Sequence, residues 1–392
     1  MFYLNQLGMI CPLGNTLDAI KRRMLDAAHS GIATTDTYSP GTPLPLGQVI
    51  TALPHVDKLP LRDRSRNNQL TLAALTEIRS AVDAAIDRYG AGRMGVVIGT
   101  STSGIAEGES ALREYAIAGG LPGEYHYGQQ ELGSPAAMLA ATLGIAGPAY
   151  VHSSACASSA KALASAARLI RMGVCDAVLT GGVDSLCAFT VAGFKALESI
   201  SETQCNPLSR NRNGINIGEG AALFLMSTAP ATVALRGWGE SSDGYHMSAP
   251  DPAGVGARLA MERALARAGI PATKIDYVNL HGTGTLQNDA MESRVIHALF
   301  GDTVAVSSTK PFTGHALGAA GAIEAGLCWL AMQDDNSTGK LPPHLWDGMP
   351  DSDLPVLNVA EPGSSLGQPL RWVMSNSFAF GGANATLVLG KE

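Results

Sequence analysis

The sequence is poor in aromatic residues, 5% of its 392 positions, and has no excess of positive charge: 27 Lys and Arg stand against 34 Asp and Glu, a net −7. That balance leaves no basic footprint for nucleic acid and argues against an anionic membrane surface. No apolar run approaches the length of a membrane span. The opening MFYLNQLGMICPLGN lacks a basic segment and is broken by Asn5 and Gln6, so it reads as a first core strand and not as a signal peptide. Six cysteines without regular spacing and without a C-x-x-C pair offer neither a disulfide framework nor a zinc cluster. Reduced thiols, no metal and a soluble, cytoplasmic protein are the expectation.

What the chain does have is Gly, Ala and an apolar content of 46%, enough for a large core of closely approaching strands and helices. Residues 68–89 place Leu72, Leu75, Ile78, Val82, Ala85 and Ile86 at three- and four-residue steps, which predicts an amphipathic helix. Helices are also predicted at about 256–268, on Leu259 and Ala260, and at 289–300, on Met291, Val295, Ile296 and Leu299. The Pro- and Gly-rich stretches at about 39–47, 119–135 and 339–369 read as covering loops and as dimer or substrate loops. Two internal echoes occur in the same order: MGVVIGTSTSG from Met94 resembles DYVNLHGTGT from Asp276, and VHSSACASSAKALASAARL resembles VSSTKPFTGHALGAAGAIEAGL. They point to two related α/β halves, 1–230 and 231–392.

Cys156 sits where the strand-like Tyr150–Ser154 gives way to the helix-forming Ala157–Arg171. As a first-turn residue it would face free N–H groups and the positive end of the helix, which favour a thiolate. Cys11, Cys175, Cys187, Cys205 and Cys328 lack that setting and read as small buried hydrophobes. His281 and His315 each lie in a glycine-bounded segment that follows an apolar strand, where sites of open α/β sheets gather. His29, His55, His126, His152, His246, His297 and His344 do not.

A thiolate with two imidazoles suits carbon–carbon bond formation on thioesters. The sulfur accepts an acyl group, a second, carboxylated thioester loses carbon dioxide, and two ring N–H donors hold the enolate oxygen that develops. The backbone turn at Phe380 to Gly382 offers donors for the oxyanion of the acyl carbonyl.

These residues, with SSACASS around Cys156, GGVDS at 181–185, NGINIGEGAALFLM at 213–226, HGTGT at 281–285, KPFTGHALGAAGAIEA at 310–325 and NSFAFGGAN at 376–384, resemble the condensing enzymes of the thiolase fold. The class is the elongating type II β-ketoacyl-acyl-carrier-protein synthases. The resemblance implies an α/β body of duplicated halves layered α-β-α-β-α. It makes Cys156 the nucleophile, His281 and His315 the decarboxylation pair, and Lys310 the partner of Glu324. It also assigns the amides of Cys156 and Phe380 to an oxyanion hole, with Phe380 as a gate, and Thr283 and Thr285 to the pantetheine arm, with Phe378 beside them. Plainer roles stand next to these: an ion pair joining two loops for Lys310 and Glu324, a turn cap for the two threonines, plain core for Phe378 and Phe380. Asp289 and Glu292 would support the site from behind. The resemblance implies no cofactor beyond the phosphopantetheine of an acyl carrier protein. It implies a homodimer, or a heterodimer with a ketosynthase-like chain-length-factor subunit.

Segments 99–104, 239–252 and 293–301 look most like ketosynthases of aryl polyene biosynthesis, with a general fatty-acid role and a non-catalytic subunit as alternatives. Leu286, Gln287 and Asn288 after HGTGT, and Leu208 and Ser209 after Pro207, depart from the family pattern and affect its loops. A thiolase would need a second Cys near the C-terminal glycine turn, and coenzyme A-primed synthases resemble this class with Asn in place of His315. Arg62, Arg64 and Arg66 form a basic run that could receive an acidic carrier helix or be an ordinary solvated surface.

Overall fold

The computed structural model describes every residue except Ala28, His29 and Glu392; His29 thus lies outside the described residues. Strands run over Phe2–Ile10 (β1), Ile32–Thr35 (β2), Leu44–Gly47 (β3), Met94–Gly99 (β4), Ala149–His152 (β5), Ala177–Asp184 (β6), Gly220–Ser227 (β7), Val233–Ser242 (β8), Tyr277–Asn279 (β9), Ala305–Ser307 (β10), Asn358–Val359 (β11), Trp372–Phe378 (β12) and Ala383–Lys391 (β13). Helices occupy Leu17–Asp26 (α1), Arg66–Tyr89 (α2), Ile105–Ala118 (α3), Ser134–Leu143 (α4), Ser158–Arg171 (α5), Ala188–Ala196 (α6), Val255–Ala268 (α7), Leu286–Phe300 (α8), Lys310–Thr313 (α9) and Ala320–Ala331 (α10). The predicted covering loops are less bare than expected: the first holds β3, paired with β2, and the last holds β11.

The strand order carries the duplication. One row reads β5-β4-β6-β7-β1 and the other β10-β9-β12-β13-β8, with β11 added outside β10. Counted within each half, both are 3-2-4-5-1. The pairings repeat as well: β4 is parallel to β5 and β6, as β9 is to β10 and β12, and the remaining steps in each row are antiparallel. A short antiparallel contact, Phe2 with Leu235 and Tyr3 with Ala234, joins the rows.

Helices α2 and α4 cover one face of the first row, α7 with α8 beside it covers the second, and α5 and α10 lie between the rows, touching strands of both. The result is five layers with three apolar cores between them. Leu163 of α5 and Ile323 and Leu327 of α10 are almost fully covered in the middle one. Each such side chain contributes about 1.5–3 kcal/mol by leaving water. Small residues let α5 settle directly on β4: a Cβ on Gly99 would stand 2.3 Å from Ser159 N, so any larger residue would push the helix off the strand. Leu259, expected on the inner face of α7, faces solvent, while Ala260 is buried.

Candidate active site

Cys156 does not lie in the first turn of α5. The helix begins at Ser158, and the sulfur sits in the tight turn before it, where Ala155 takes a left-handed φ of 47°. That conformation costs a non-glycine residue about 1 kcal/mol. Ser158 holds the turn: its hydroxyl donates to the Ala155 carbonyl at 2.6 Å and accepts the Ser154 N–H at 2.8 Å. The expected easy ionisation is also corrected. Burial pushes the Cys156 thiol up to about 11, against the opposing pull of Lys310 and the N–H groups of Phe380 and Cys156 that face the sulfur. Those two amides are the donors an acyl oxyanion at this sulfur would need.

His281 leaves the end of β9 on a loop clamped from below. Glu292 of α8 accepts the N–H groups of His281 and Gly282, each at 2.8 Å, and Asp289 accepts those of Gly284 and Leu208 at 3.2 and 2.9 Å. Burial lifts both carboxyls, Glu292 to about 7. His315 is strapped to the NGINIGEG segment: its N–H donates to the Asn216 carbonyl at 2.7 Å and its carbonyl accepts the Gly218 N–H at 2.9 Å.

The loops bring the three groups together. His315 Nε2 stands 3.0 Å from Cys156 Sγ, and the two imidazole rings meet edge to face with centroids 5.3 Å apart. All three side chains are buried and line one cavity, of about 580 Å³ open volume, with Thr283, Phe378 and Phe380. Phe378 packs 6.1 Å from the His281 ring, and Phe380 lies 5.5 Å from Phe194 of α6. Thr283 and Thr285 hydroxyls are 2.9 Å apart, so the pair closes its own turn as well as facing the cavity.

The ring protons follow from the neighbours. Leu317 N–H points at His315 Nδ1 from 3.2 Å, and the Lys310 ammonium lies 3.4 Å from His281 Nδ1. Both Nδ1 atoms therefore accept, which puts each proton on Nε2. Burial, then the Lys310 charge, holds both imidazoles well below their ordinary range, so they stay neutral. Cys156 Sγ and the two rings lie within 4.8 Å of one another, a spacing that a metal ion could bridge. With Nδ1 engaged in this way, however, the cavity receives two N–H donors and not two lone pairs. Lys310 also donates to the His281 carbonyl and to Glu324 Oε1 at 2.5 Å, both ends fully buried. It thus ties α10 to the His281 loop.

Several residues at this site were not singled out from the sequence. Asp184, at the end of β6, takes hydrogen bonds from Thr100, Ser101 and Thr102 and from the Gly318 N–H at 2.6 Å, joining the first half to the loop that follows His315. His344, passed over in the sequence, accepts the Ser308 N–H at 3.0 Å through Nδ1 and lies 2.9 Å from the Pro207 carbonyl through Nε2. Phe194 and Ile215 line the cavity. A carboxylate closing an apolar strand, as in GGVDS, is the signal that could have flagged Asp184. In the basic run, Arg66 is not free: it makes a two-pronged pair with buried Glu219, at 2.9 and 2.5 Å. Arg64 donates to the Leu59 carbonyl, and Arg62 lies 3.5 Å from Glu131.

Residues 8–231 match the N-terminal domain of β-ketoacyl synthases and residues 232–345 the C-terminal domain. The chain belongs to the β-ketoacyl synthase family. It is 32% identical over 398 residues to nodulation protein E of Rhizobium meliloti (strain 1021), covering 97% of this chain and 96% of that protein. It is 31% identical to 3-oxoacyl-[acyl-carrier-protein] synthase 2 of Staphylococcus aureus (strain COL), over 86% and 84% of the two chains. Among solved structures, a ketosynthase (ApeO) in complex with its chain length factor (ApeC) from Xenorhabdus doucetiae superposes with a TM-score of 0.94 at 45% identity, covering 100% of this chain and 98% of that one. The five-layered body is thus the thiolase-like fold of ketosynthases, and this β-ketoacyl synthase is an acyltransferase that condenses by Claisen chemistry. Among the described residues the cavity is lined by one cysteine, so the second thiol a thiolase would use has no counterpart in it.

Proposed function

We propose that Cys156 accepts the growing chain from an acyl carrier protein and that the chain extended is an aryl polyene. The Cys156 sulfur attacks the acyl thioester, its proton leaving with the phosphopantetheine thiol. Malonyl carrier then enters and loses carbon dioxide, and the enolate oxygen takes hydrogen bonds from the Nε2–H groups of His281 and His315. The carbanion attacks the acyl-cysteine carbonyl, whose oxyanion is held by the amides of Cys156 and Phe380. The thioester C–S bond breaks, freeing the 3-oxoacyl carrier and the Cys156 thiolate, which takes up a proton from solvent to restore the thiol. Lys310 and Glu324 position His281, Thr283 and Thr285 take the pantetheine arm, and Phe378 and Phe380 wall the space where acyl and malonyl groups meet.

The observation that carries this reading is the convergence of one thiol from the first half and two neutral imidazoles from the second on one cavity. The similarity to ApeO supports the aryl polyene substrate and a partner of the chain-length-factor kind; a second copy of this chain is the alternative partner. No cofactor enters beyond the carrier's own phosphopantetheine. The same reading treats 1–230 and 231–392 as the two halves, supported by the repeated strand order. Among the described residues no helix is long and apolar enough to cross a membrane, which is compatible with a cytoplasmic site of action.

Intact-protein mass spectrometry tests the substrate. Incubated with equal amounts of aryl-enoyl and saturated acyl carriers, the protein should gain the aryl-enoyl mass at Cys156 several-fold faster, and Cys156→Ser should gain neither. Equal rates would favour the general fatty-acid role.

A further inference from the structure

The duplication extends past the strands to the site itself. Strand β4 ends at Gly99, beside His152 and Gly182, and β9 ends at Asn279, beside Ser307 and Ser375. Val97 and Tyr277, one step back on the same face of each strand, both enter the middle core. Matched in this register, Ser101 stands where the second half has His281, and Asp184 stands where it has Ser377. The helix entrances match as well. Ala155 and Leu317 take left-handed φ values of 47° and 46°, each at the same distance before Ser158 and Ala320, which begin α5 and α10. The turn hydrogen bonds repeat, from the N–H groups of Ala157 and Ser158 to the carbonyls of Ser154 and Ala155, and from Ala319 and Ala320 to Ala316 and Leu317. Gly318 is therefore the counterpart of Cys156.

This second elbow has no room for a nucleophile. A Cβ on Gly318 would stand 2.8 Å from Asp184 Oδ2 and 2.9 Å from Ser101 N. What fills the place is a carboxylate. Asp184 is fully buried, and its Oδ2 accepts the Gly318 N–H at 2.6 Å and the Ser101 hydroxyl at 2.5 Å. Its Oδ1 accepts the N–H groups of Ser101 and Thr102 at 2.8 and 2.9 Å and the hydroxyls of Thr100 and Thr102 at 2.6 and 3.0 Å. All of these donors are neutral. Converging main-chain amides and hydroxyls hold an anion in this way without a counter-ion. At Cys156 the elbow amide faces the reacting sulfur; at Gly318 the equivalent amide already holds an anion of the protein's own.

We propose that the Gly318 elbow is a small-carboxylate site, the second-half counterpart of the oxyanion hole at Cys156, and that the Asp184 side chain is its built-in occupant. Emptied of that side chain, the site takes a free carboxylate of the size removed. The occupant is a positioning group: it fixes Gly318, and with it the adjoining Leu317 N–H that meets His315 Nδ1 at 3.2 Å. The inference rests on the reading of the Cys156 and Phe380 amides as oxyanion donors and extends it to the other half of the molecule.

Two cavity variants test it with acetate and formate as probes. Asp184→Gly removes a group the size of acetate, and Asp184→Ala one the size of formate. Melting temperature and carbon dioxide release from malonyl carrier are measured for both variants and wild type in sodium acetate, formate or chloride at equal ionic strength. Acetate should raise the melting temperature of the glycine variant with the logarithm of its concentration and restore its gas release roughly tenfold over chloride. Formate should do so for the alanine variant, and wild type should respond to neither. Should a variant not fold in chloride, its soluble yield on refolding in the matched carboxylate against chloride is the reading. No advantage of carboxylate over chloride, no preference by size, or an equal response in wild type would overturn the site. A melting temperature that recovers without gas release would overturn the positioning role. Melting does not involve the condensation chemistry, so failure of that chemistry is seen separately, as wild type that releases no carbon dioxide.

Discussion

Two ring tautomers and one buried sulfur set what the cavity can do. Because Leu317 N–H and the Lys310 ammonium face the Nδ1 atoms, His315 and His281 turn N–H donors inward, the arrangement that an enolate oxygen calls for. The sulfur at rest is a thiol, since burial holds it up at about 11. Alkylation of Cys156 by iodoacetamide, scored against Cys156→Ser, should therefore quicken about tenfold per pH unit from neutrality to about pH 9. A plateau near neutral pH would mean a sulfur already ionised. His344 gives a stability prediction. Burial lowers it from 6.5 to about 4, so folding favours its neutral form, and its contribution is complete above about 6.5 and is lost as pH falls through about 4. The difference amounts to roughly 3 kcal/mol. Melting temperatures of His344→Gln should fall less than those of wild type between pH 6.5 and 4. Parallel curves would show that the ring does not matter. Cys156, His281 and His315 were legible in the sequence because each follows an apolar strand in a run of small residues. His344 was not: its partners, Ser308 and Pro207, are 36 and 137 positions away.

Strand ends and helix starts place these side chains, and the longer elements were the easier to read. The helix expected over 68–89 spans Arg66–Tyr89, and that expected over 256–268 spans Val255–Ala268. Helix α8 begins at Leu286, three residues earlier than expected, because Gln287 and Asn288 read as loop while Asn288 in fact turns inward to Asp289 and Glu292. Periodicity could not reveal that the turn at Cys156 precedes α5, since Ala and Ser suit both sides of it. Nor could it show that Arg66 is spent on Glu219, 153 positions away. Asp184 shows how an element end serves the site. It holds Gly318, and Gly318 follows the residue whose N–H fixes the His315 ring. Asp184→Asn turns an amide against several donors and should cost about 2–4 kcal/mol of stability. It should slow carbon dioxide release from malonyl carrier at least tenfold, and Cys156 acylation less. Calorimetry and the two rate assays check this; equal losses in both steps would reduce Asp184 to a general prop.

The molecule as a whole is two copies of one strand order closed over a shared helical layer. The duplication was visible as two faint echoes, but the sharing was not, because nothing local marks α5 and α10 as belonging to both rows. Fragments 1–230 and 231–392 made separately should each expose that layer and aggregate, and should become soluble together when co-expressed. Soluble, folded single fragments would show that each half is complete by itself. The site depends on this closure, since the thiol comes from one half and both imidazoles from the other. The most direct test is carbon dioxide release from malonyl carrier by Cys156→Gln, alone and combined with His281→Ala or His315→Ala. With the sulfur gone, condensation should cease while decarboxylation continues, and removal of either imidazole should then slow gas release by about two orders of magnitude. Release that stays at background in Cys156→Gln, or that is indifferent to both histidines, would contradict the account.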